Sequence, residues 1–374
     1  SDIAVHTQHE VTAIDLGARR VEVLDLDAGT TRHEPFDQLL IGTGARPIRP
    51  SLPGIELELV HGVQNLDDAE DLLRHAEDRA CRRVVVVGGG YIGLEMAEAF
   101  CLWGAEVTVV EAAPQVMGSL DPDMGALVHE AMVEVGVSVR TGVAVEGFEP
   151  GRVSTSDGVI GTDLVVLGIG VQPNSELAGA AGIELGVRRA IQVDRRMRTS
   201  AEGVWAAGDC CASTHLVSAQ PVHVPLGTVA NRQARVAGTN IGGGYASFPG
   251  VLASAVTKLC GTEIGRTGLT EAEARAASFE PVAATITSRT RAGYYPGTEP
   301  IHVKVVAERR TGRLLGGQIV GGQGSAKRID TIATALMAQM TAEQLAEADL
   351  PYAPPFSPVW DPVLIAARKA AEAV

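Results

Sequence analysis

Hydrophobic and polar residues alternate along the first forty positions in a way that predicts short β-strands. Gly and Asp residues that favour turns separate the predicted strands, which lie at 11–16, 20–26 and 36–44. They predict a small meander that leads into one buried strand. The next segment, 65–78, is mostly polar and has Leu72 and Leu73 in its interior, a pattern typical of a capped amphipathic helix.

The strongest pattern in the chain predicts a strand, a glycine turn, a helix and a second strand in succession. These elements are predicted at 83–87, 88–93, 94–103 and 105–111. A further helix has apolar residues every three or four positions and ends at Gly136, where glycine favours a helix terminus. This alternation of strand and helix predicts an α/β domain built on a parallel sheet.

The remaining patterns divide the chain into three predicted regions. Strands at 137–142, 145–150, 151–156 and 163–171 complete the α/β domain. The C-terminal region has predicted strands at 282–290, 301–308 and 314–321, a helix at 326–340, and capping boxes at Thr270/Glu273 and Thr341/Gln344. The predicted domains are residues 1–75 together with 195–247, residues 76–194, and residues 248–374.

Composition narrows the classes of partner. The chain has 374 residues, 45% of them hydrophobic and 20% charged, with a formal net charge of -14. This acidity argues against nucleic acid or an anionic membrane as the main partner, and no apolar run reaches the roughly 18 residues of a membrane span. Five cysteines, an odd number, do not indicate a secreted disulfide framework and favour a reducing cytoplasm. The nine histidines show no metal-ligand spacing.

The glycine turn has the residues that a dinucleotide site needs. Gly88 allows a tight turn, Gly90 lets the backbone approach a pyrophosphate, and Gly93 lets helix and strand pack closely. Glu111 ends the next strand, where a carboxylate accepts hydrogen bonds from ribose hydroxyls. No Lys or Arg follows in 112–117 to meet a 2′-phosphate, so NADH is predicted over NADPH. The alternative is a glycine turn that binds no nucleotide.

Two other segments have the pattern of a strand that ends at a ligand. The sequence LLIGTGARP occupies 39–47, and GVWAAGDCC at 203–211 places Asp209 beyond the end of a short apolar strand. A helix is predicted to begin near Leu226, with its N-terminus available to an electron-rich ring. Taken singly, the first segment is equally consistent with an ordinary loop at the end of a strand, and a lone Gly-Asp pair is more often a turn.

The order of these motifs resembles the pyridine nucleotide–disulfide oxidoreductase family over essentially the whole chain. The resemblance implies a two-dinucleotide flavoprotein fold with a C-terminal α+β dimerisation domain, a homodimer, and the cofactors FAD and NADH. The implied FAD-binding residues are Thr43, Gly44, Ala45, Gly208, Asp209, Gly227 and Thr228. The implied NADH-binding residues are Gly88, Gly90, Tyr91, Ile92, Gly93, Glu111 and Gly170. The FAD glycine turn and its first βαβ unit are expected upstream of residue 1.

The C-terminal end resembles one branch of that family. AGYYPG at 292–297 and DLPYAPPFSPVWDPV at 349–363 are similar to CoA-disulfide reductases, a branch that includes NADH oxidases and persulfide reductases. The resemblance implies that Tyr294 and Tyr352 are catalytic and reach the partner's flavin and substrate sulfur, or else that they are packing residues. Trp360 stands where some CoA-using relatives carry a basic residue, which counts against CoA itself.

The implied function is transfer of hydride from NADH through the flavin to a disulfide or persulfide such as CoA disulfide. In this branch a single cysteine upstream of residue 1 would carry the redox chemistry. None of the five cysteines fits that role, although Cys210 and Cys211 lie beside the predicted flavin segment. Two alternatives remain: an NADH oxidase or peroxidase that reduces oxygen or peroxide, and an NADH-binding dimeric fragment without catalysis.

Overall fold

The computed structural model describes residues 3–374; residues 1 and 2, at which the predicted segment 1–75 begins, lie outside the described part. The chain divides into two compact units. The first contains the residues up to Arg46 together with Val171–His215 and Ala219–Val251. The second contains Pro47–Gly170, Leu216–Ser218 and Leu252–Val374.

The strands are numbered along the chain. The first eleven are β1 (His9–Asp15), β2 (Arg20–Asp25), β3 (Thr30–Pro35), β4 (Leu39–Ile41), β5 (Ala45–Pro47), β6 (Val60–Gly62), β7 (Arg83–Val87), β8 (Glu106–Glu111), β9 (Ser138–Thr141), β10 (Val145–Glu149) and β11 (Arg152–Thr155). The others are β12 (Gly158–Gly161), β13 (Leu164–Leu167), β14 (Val171–Pro173), β15 (Val204–Ala206), β16 (Ser213–Thr214), β17 (Pro221–Val222), β18 (Ala255–Leu259), β19 (Thr262–Gly268), β20 (Pro281–Arg289), β21 (Pro300–Glu308) and β22 (Leu314–Gly321).

The helices are numbered in the same way. They are α1 (Leu66–Asp78), α2 (Tyr91–Trp103), α3 (Pro122–Glu134), α4 (Glu176–Ala180), α5 (Gly227–Ile241), α6 (Glu271–Ala276), α7 (Ser325–Met337), α8 (Ala342–Ala346) and α9 (Pro362–Glu372). Over the described residues 3–374, no helix has the length and apolarity that crossing a membrane requires.

The first unit contains the predicted N-terminal meander. Strands β1, β2 and β3 form an antiparallel sheet, and β4 pairs in parallel with β15. Sequence patterning missed β3, because its side chains are almost all exposed and therefore show no apolar alternation. Backbone pairing with β2 holds β3 in place. Helix α5 begins at Gly227, next to the predicted start at Leu226.

The second unit is built on the predicted parallel sheet. Its strand order is β6-β13-β7-β8-β9, with every neighbour parallel. The sequence analysis predicted no strand at Val60–Gly62, where β6 pairs with β13 and extends the parallel sheet of the second unit. The assignment of cofactor-binding domains to sequence ranges stays a prediction.

Helix α1 lies where it was predicted, but α7 ends at Met337, three residues before its predicted end at 340, and α9 was not predicted. Helix α1 is capped, as predicted, and the structure assigns the cap to Asn65 and the carboxylate of Asp68; of its two central leucines, Leu72 is buried and Leu73 is exposed. Helix α2 begins at Tyr91, three residues before its predicted start. Glycine has low helix propensity, which is why Gly93 was placed in the turn, but it lies in the first helical turn.

The C-terminal part of the second unit is an antiparallel sheet in the order β18-β19-β22-β21-β20. Helices α7 and α9 bury apolar residues in the same core as this sheet. Both predicted capping boxes are present, at Thr270 with Glu273 and at Thr341 with Gln344.

Candidate functional site

The glycine turn after β7 has a shape that only glycine permits at two positions. Gly88 has φ of 101°, and a Cβ atom there would lie 2.5 Å from the Gly168 carbonyl oxygen. A Cβ atom on Gly93 would lie 1.9 Å from the Gly88 carbonyl oxygen. Gly90 instead faces open space, with no atom within 4 Å of a Cβ position. The turn therefore packs tightly on the protein side and leaves room for a ligand at Gly90.

The amino end of α2 follows this opening. Gly90 is the N-cap and provides no side-chain hydrogen bond to the first turn, where Tyr91 and Ile92 are the first two helical residues. The first N–H groups of a helix have no intrahelical acceptors, and the helix dipole favours negative charge there. The space beside Gly90 is therefore suited to a phosphate.

Glu111 lies beside the same turn. Its carboxylate accepts hydrogen bonds from the Gly89 N–H at 2.7 Å and from the Ala113 N–H at 2.8 Å. These two bonds fix its orientation at the end of β8 and leave further acceptor capacity on both oxygens. The structure thus brings Glu111 and the predicted turn glycines together. Gly89 was not predicted, since its contribution is a backbone N–H that has no side-chain signature.

Gly170 ends the segment that supports the turn. It has φ of 94° and follows β13, while Gly168 lies against the turn, where a Cβ atom would be 3.0 Å from Gly93 Cα. A side chain at Gly168 would displace the turn. The carboxyl ends of the neighbouring strands β7 and β13 thus meet at the glycine turn, as expected for ligand sites in parallel sheets.

In the first unit, two of the predicted segments lie side by side. Strand β4 pairs in parallel with β15, with Ile41 opposite Ala206, and the Ala207 N–H donates to the Ile41 carbonyl at 3.1 Å. The segments with Thr43, Gly44 and Ala45, and with Gly208 and Asp209, therefore leave the same edge of the sheet. Gly44 and Gly208 have φ of 68° and 89°, the left-handed conformation that glycine adopts without strain.

Asp209 has a carboxylate oxygen that lacks a partner within the described residues. Its Oδ1 atom is buried and accepts no hydrogen bond. Burial raises the pKa of Asp209, and the nearby His223 only partly opposes this. A buried acceptor without a donor is costly to the protein, and a ligand hydroxyl would satisfy it. This acceptor therefore fits a hydroxyl donor of a polyol such as the ribityl chain of a flavin.

Gln233 joins this segment to α5, and sequence analysis missed it. It is fully buried, accepts from the Gly208 N–H at 2.9 Å, and donates to Ser213 Oγ at 2.9 Å. A polar residue on the apolar face of α5 was the available signal. Gly227 and Thr228 are the first two residues of α5, and Leu226 as N-cap leaves their N–H groups without a side-chain acceptor.

Cys210 and Cys211 are buried thiols beside Asp209. Their sulfurs are 3.6 Å apart, and no disulfide joins them. The hydrogen bond from Cys211 lowers the pKa of Cys210 to about 7, against the effect of burial. The pKa of Cys211 is raised by the same bond. One thiol thus stabilises the thiolate of the other.

The structure brings Tyr294 and Tyr352 together. The two side chains lie close enough for Tyr294 to raise the pKa of Tyr352. Both side chains are exposed, at 77% and 44%, as are Phe356 and Trp360 on the same C-terminal segment as Tyr352. Two neighbouring phenols on an exposed surface are available as hydrogen-bond donors. Among residues 3–374, no cluster of His, Cys, Asp and Glu has the composition of a metal site.

The chain matches two family models. Residues 1–234 match the pyridine nucleotide-disulphide oxidoreductase model, and residues 254–362 match the dimerisation domain of pyridine nucleotide-disulphide oxidoreductases. These matches confirm the resemblance predicted from the motif order, including the C-terminal dimerisation domain.

Three similar proteins have related names. The chain is 39% identical over 371 residues to the NAD(P)H coenzyme A polysulfide/persulfide reductase of Pyrococcus horikoshii, covering 98% of this chain and 82% of the relative. It is 38% identical over 374 residues to an NADH oxidase of Methanocaldococcus jannaschii, covering 99% and 83%. The solved NAD-dependent persulfide reductase from A. fulgidus has a TM-score of 0.96 at 40% identity, covering 99% of this chain and 69% of that one. The predicted fold class is confirmed.

Proposed function

The chain belongs to the pyridine nucleotide–disulphide oxidoreductase family, whose members bind FAD and NAD(P)H, and we propose that it reduces a small disulfide or persulfide with NADH. The observation that supports this substrate class is the neighbouring pair of exposed tyrosines, Tyr294 and Tyr352. Proteins similar to this chain include enzymes named as persulfide reductases. When bound, the flavin accepts hydride from NADH and supplies an electron pair to sulfur.

NADH binding is assigned to the glycine turn and Glu111. The pyrophosphate would lie at the open side of Gly90, against the N–H groups at the start of α2, where Tyr91, Ile92 and Gly93 form the first turn. The Glu111 carboxylate would accept hydrogen bonds from the adenine ribose hydroxyls. Gly170 lies after β13, whose carboxyl end meets the turn, and is assigned to the same site.

FAD binding is assigned to the edge of the sheet where β4 and β15 end. Thr43, Gly44, Ala45 and Gly208 provide backbone that a ligand can approach closely. Asp209 provides the unpartnered acceptor for a hydroxyl of the ribityl chain. The first turn of α5, with Gly227 and Thr228, would direct N–H groups toward the electron-rich edge of the ring.

The tyrosine pair is assigned to the sulfur chemistry. A tyrosine phenol has an ordinary pKa of about 10 and is therefore protonated at neutral pH, so Tyr294 and Tyr352 can each donate a proton to a thiolate leaving group. We infer that this pair of donors serves the partner in a homodimer, since the C-terminal region matches the dimerisation domain.

Arg368 lies over the Trp360 ring at 4.5 Å, so a cation is present near the position where a phosphate-bearing substrate would need one. A cytoplasmic location is proposed on the free thiols.

The second candidate function is NADH oxidation with oxygen or peroxide as acceptor. One specific observation favours it: the relative from Methanocaldococcus jannaschii, named NADH oxidase, is 38% identical over nearly the full chain.

The function is tested with the full chain after incubation with FAD and removal of excess cofactor. We expect a retained flavin absorption band and NADH oxidation that depends on CoA persulfide under anaerobic conditions. Replacing both Tyr294 and Tyr352 with Phe is expected to lower this rate by about 100-fold, a typical contribution of a general acid. Tyr245→Phe is the matched control, as Tyr245 is equally exposed and stacks on Arg196. Oxygen consumption without persulfide reduction would support the oxidase, and NADH binding without flavin would contradict both.

Glu111→Arg is expected to weaken NADH binding by about tenfold or more and to improve NADPH binding. The substitution removes a charged hydrogen-bond acceptor for the ribose and adds a guanidinium for a 2′-phosphate. Dissociation constants for both nucleotides, measured by calorimetry, check the prediction. Glu106→Arg is the control, because Glu106 is exposed at the other end of β8. NADH affinity that stays unchanged in the Glu111 variant would exclude Glu111 from the ribose site.

A further inference from the structure

The loop between β8 and α3, residues 112–121, forms one wall of the site assigned to NADH. It begins directly after Glu111, and the Met117 N–H donates to the Gly89 carbonyl at 2.7 Å. Val116 is fully buried, and a Cβ atom on Gly89 would lie 2.8 Å from its Cγ1. The position of this loop therefore determines the position of the acceptor and of the turn.

Arg266, on β19 of the C-terminal sheet, holds this loop. Its guanidinium is almost completely buried, at 7% exposure, and Nη1 donates to the Ser119 carbonyl at 2.8 Å. Nη2 donates to the Gly268 carbonyl at 2.6 Å and to the Glu273 carboxylate at 3.0 Å. The Ser119 hydroxyl in turn donates to the Tyr91 hydroxyl at 3.4 Å, at the first position of α2. One side chain of the C-terminal region thus links to both parts of the nucleotide site.

A second contact holds the end of the same loop. The Asp121 N–H donates to Gln318 Oε1 at 2.8 Å, and Gln318 Nε2 donates to the Asp121 carboxylate at 2.7 Å. Lys304 lies 3.3 Å from the same carboxylate. Asp121, Lys304 and Gln318 are all less than 6% exposed. Three strands of the C-terminal sheet, β19, β21 and β22, therefore fix the loop through buried polar side chains.

We propose that Arg266 is a positioning residue for NADH, which holds the 112–121 loop so that Glu111 and the Gly89 N–H are ordered before the nucleotide arrives. This inference rests on the proposed NADH site. A loop that is ordered only on binding reduces affinity by the free energy of ordering it, whereas a preorganised loop does not. Arg suits this role because its planar fork can reach the Ser119 carbonyl, the Gly268 carbonyl and Glu273 at once.

The proposal predicts a specific effect on nucleotide affinity. Arg266→Met in the full chain is expected to raise the dissociation constants for NADH and for 5′-AMP by the same factor, about five- to tenfold. Both dissociation constants rise by the same factor because the loop orders Glu111. In the proposed site, Glu111 accepts hydrogen bonds from the adenine ribose, which NADH and 5′-AMP have in common. In the FAD-loaded protein, KM for NADH is expected to rise while kcat at saturating NADH stays unchanged. Hydrogen exchange at the Met117 amide is expected to accelerate.

The matched control is Arg310→Met, because Arg310 is an exposed arginine of the same C-terminal region that pairs only with Glu308. It should change none of these values. If the Met variant does not fold, Arg266→Lys is measured instead, because it keeps a positive charge beside Glu273 but cannot hold all three acceptors. It is expected to show a smaller rise in both dissociation constants.

The outcomes separate this inference from the proposed function. The positioning role would be overturned if the wild type binds NADH and both Arg266 variants bind it with the same affinity. That result would leave the proposed NADH site intact. A fall in kcat with unchanged affinity would also overturn the positioning role. Wild-type protein that does not bind NADH would instead refute the proposed site.

Discussion

Gly93→Ala is expected to destabilise the second unit by about 1–3 kcal/mol and to weaken NADH binding by about tenfold or more. The added methyl group would lie 1.9 Å from the Gly88 carbonyl oxygen, a distance that no Cβ contact tolerates. The turn or the start of α2 must therefore move, and the N–H groups assigned to the pyrophosphate move with it. Urea denaturation and NADH calorimetry measure the two effects.

Gly90→Ala separates packing from binding in the same turn. Gly90 has φ of -86°, which alanine adopts readily, and the space beside it is open. This variant should keep the wild-type denaturation midpoint and lose NADH affinity, because the methyl group occupies the place assigned to phosphate. Equal stability of both variants and the wild type would contradict the packing argument. If both variants bind NADH as tightly as the wild type does, the glycine turn is not the nucleotide site.

Lys304→Met is expected to lower the stability of the second unit by about 3–5 kcal/mol, the typical result of removing one partner from a buried ion pair. Lys304 is 4% exposed and contacts Asp121 at 3.3 Å, Asp123 at 2.8 Å and Glu271 at 2.9 Å. Without the ammonium group, the Asp121 carboxylate stays buried with no cation. The shift of the urea midpoint at neutral pH measures this effect.

The loss at Lys304 should depend on pH. Burial would raise the pKa values of Asp123 and Glu271, but the hydrogen bonds and charges of their partners, Lys304 foremost, together outweigh it and both pKa values are lowered. A carboxyl group with a lowered folded-state pKa contributes stability above its unfolded pKa, and this contribution disappears as pH falls through the folded-state value. The difference between wild type and Lys304→Met is therefore largest near neutral pH and shrinks as the solution is acidified below the ordinary carboxyl range.

Lys327→Met is the control for this prediction. Lys327 is 79% exposed and pairs with Asp330 one helical turn away, an arrangement that contributes less than about 1 kcal/mol. A Lys304 variant as stable as this control would show that the buried carboxylates find other donors. A difference between Lys304→Met and wild type that grows on acidification would contradict the assigned sign.

Many features of this protein follow from short-range patterns, and the sequence predicted those. The strand at Arg83–Val87, the glycine turn and Glu111 lie within thirty residues of one another. The capping boxes at Thr270 and Thr341 each involve residues three positions apart. Such elements are determined by periodicity and by local hydrogen bonds, which are visible in the order of residues. The family resemblance rests on the same local motifs.

Exposed strands and very short strands were harder to predict. Strand β3 shows no apolar alternation because neither face is buried, and β6 was not predicted because its three residues are too few to show a periodic pattern. Parallel pairing is decided by which strands the rest of the fold brings together.

By itself, the sequence determined where the strand–turn–helix unit lies, which glycines shape it, and which carboxylate follows it. Only the tertiary structure decided that Asp209 has a buried oxygen without a donor, that Gln233 holds its segment, and that Arg266 holds the loop beside Glu111. Arg266 and Ser119 are 147 positions apart, and nothing in the local pattern of either segment relates them. Burial of polar groups forces such distant partners to be satisfied together, so these contacts exist only once the chain has folded.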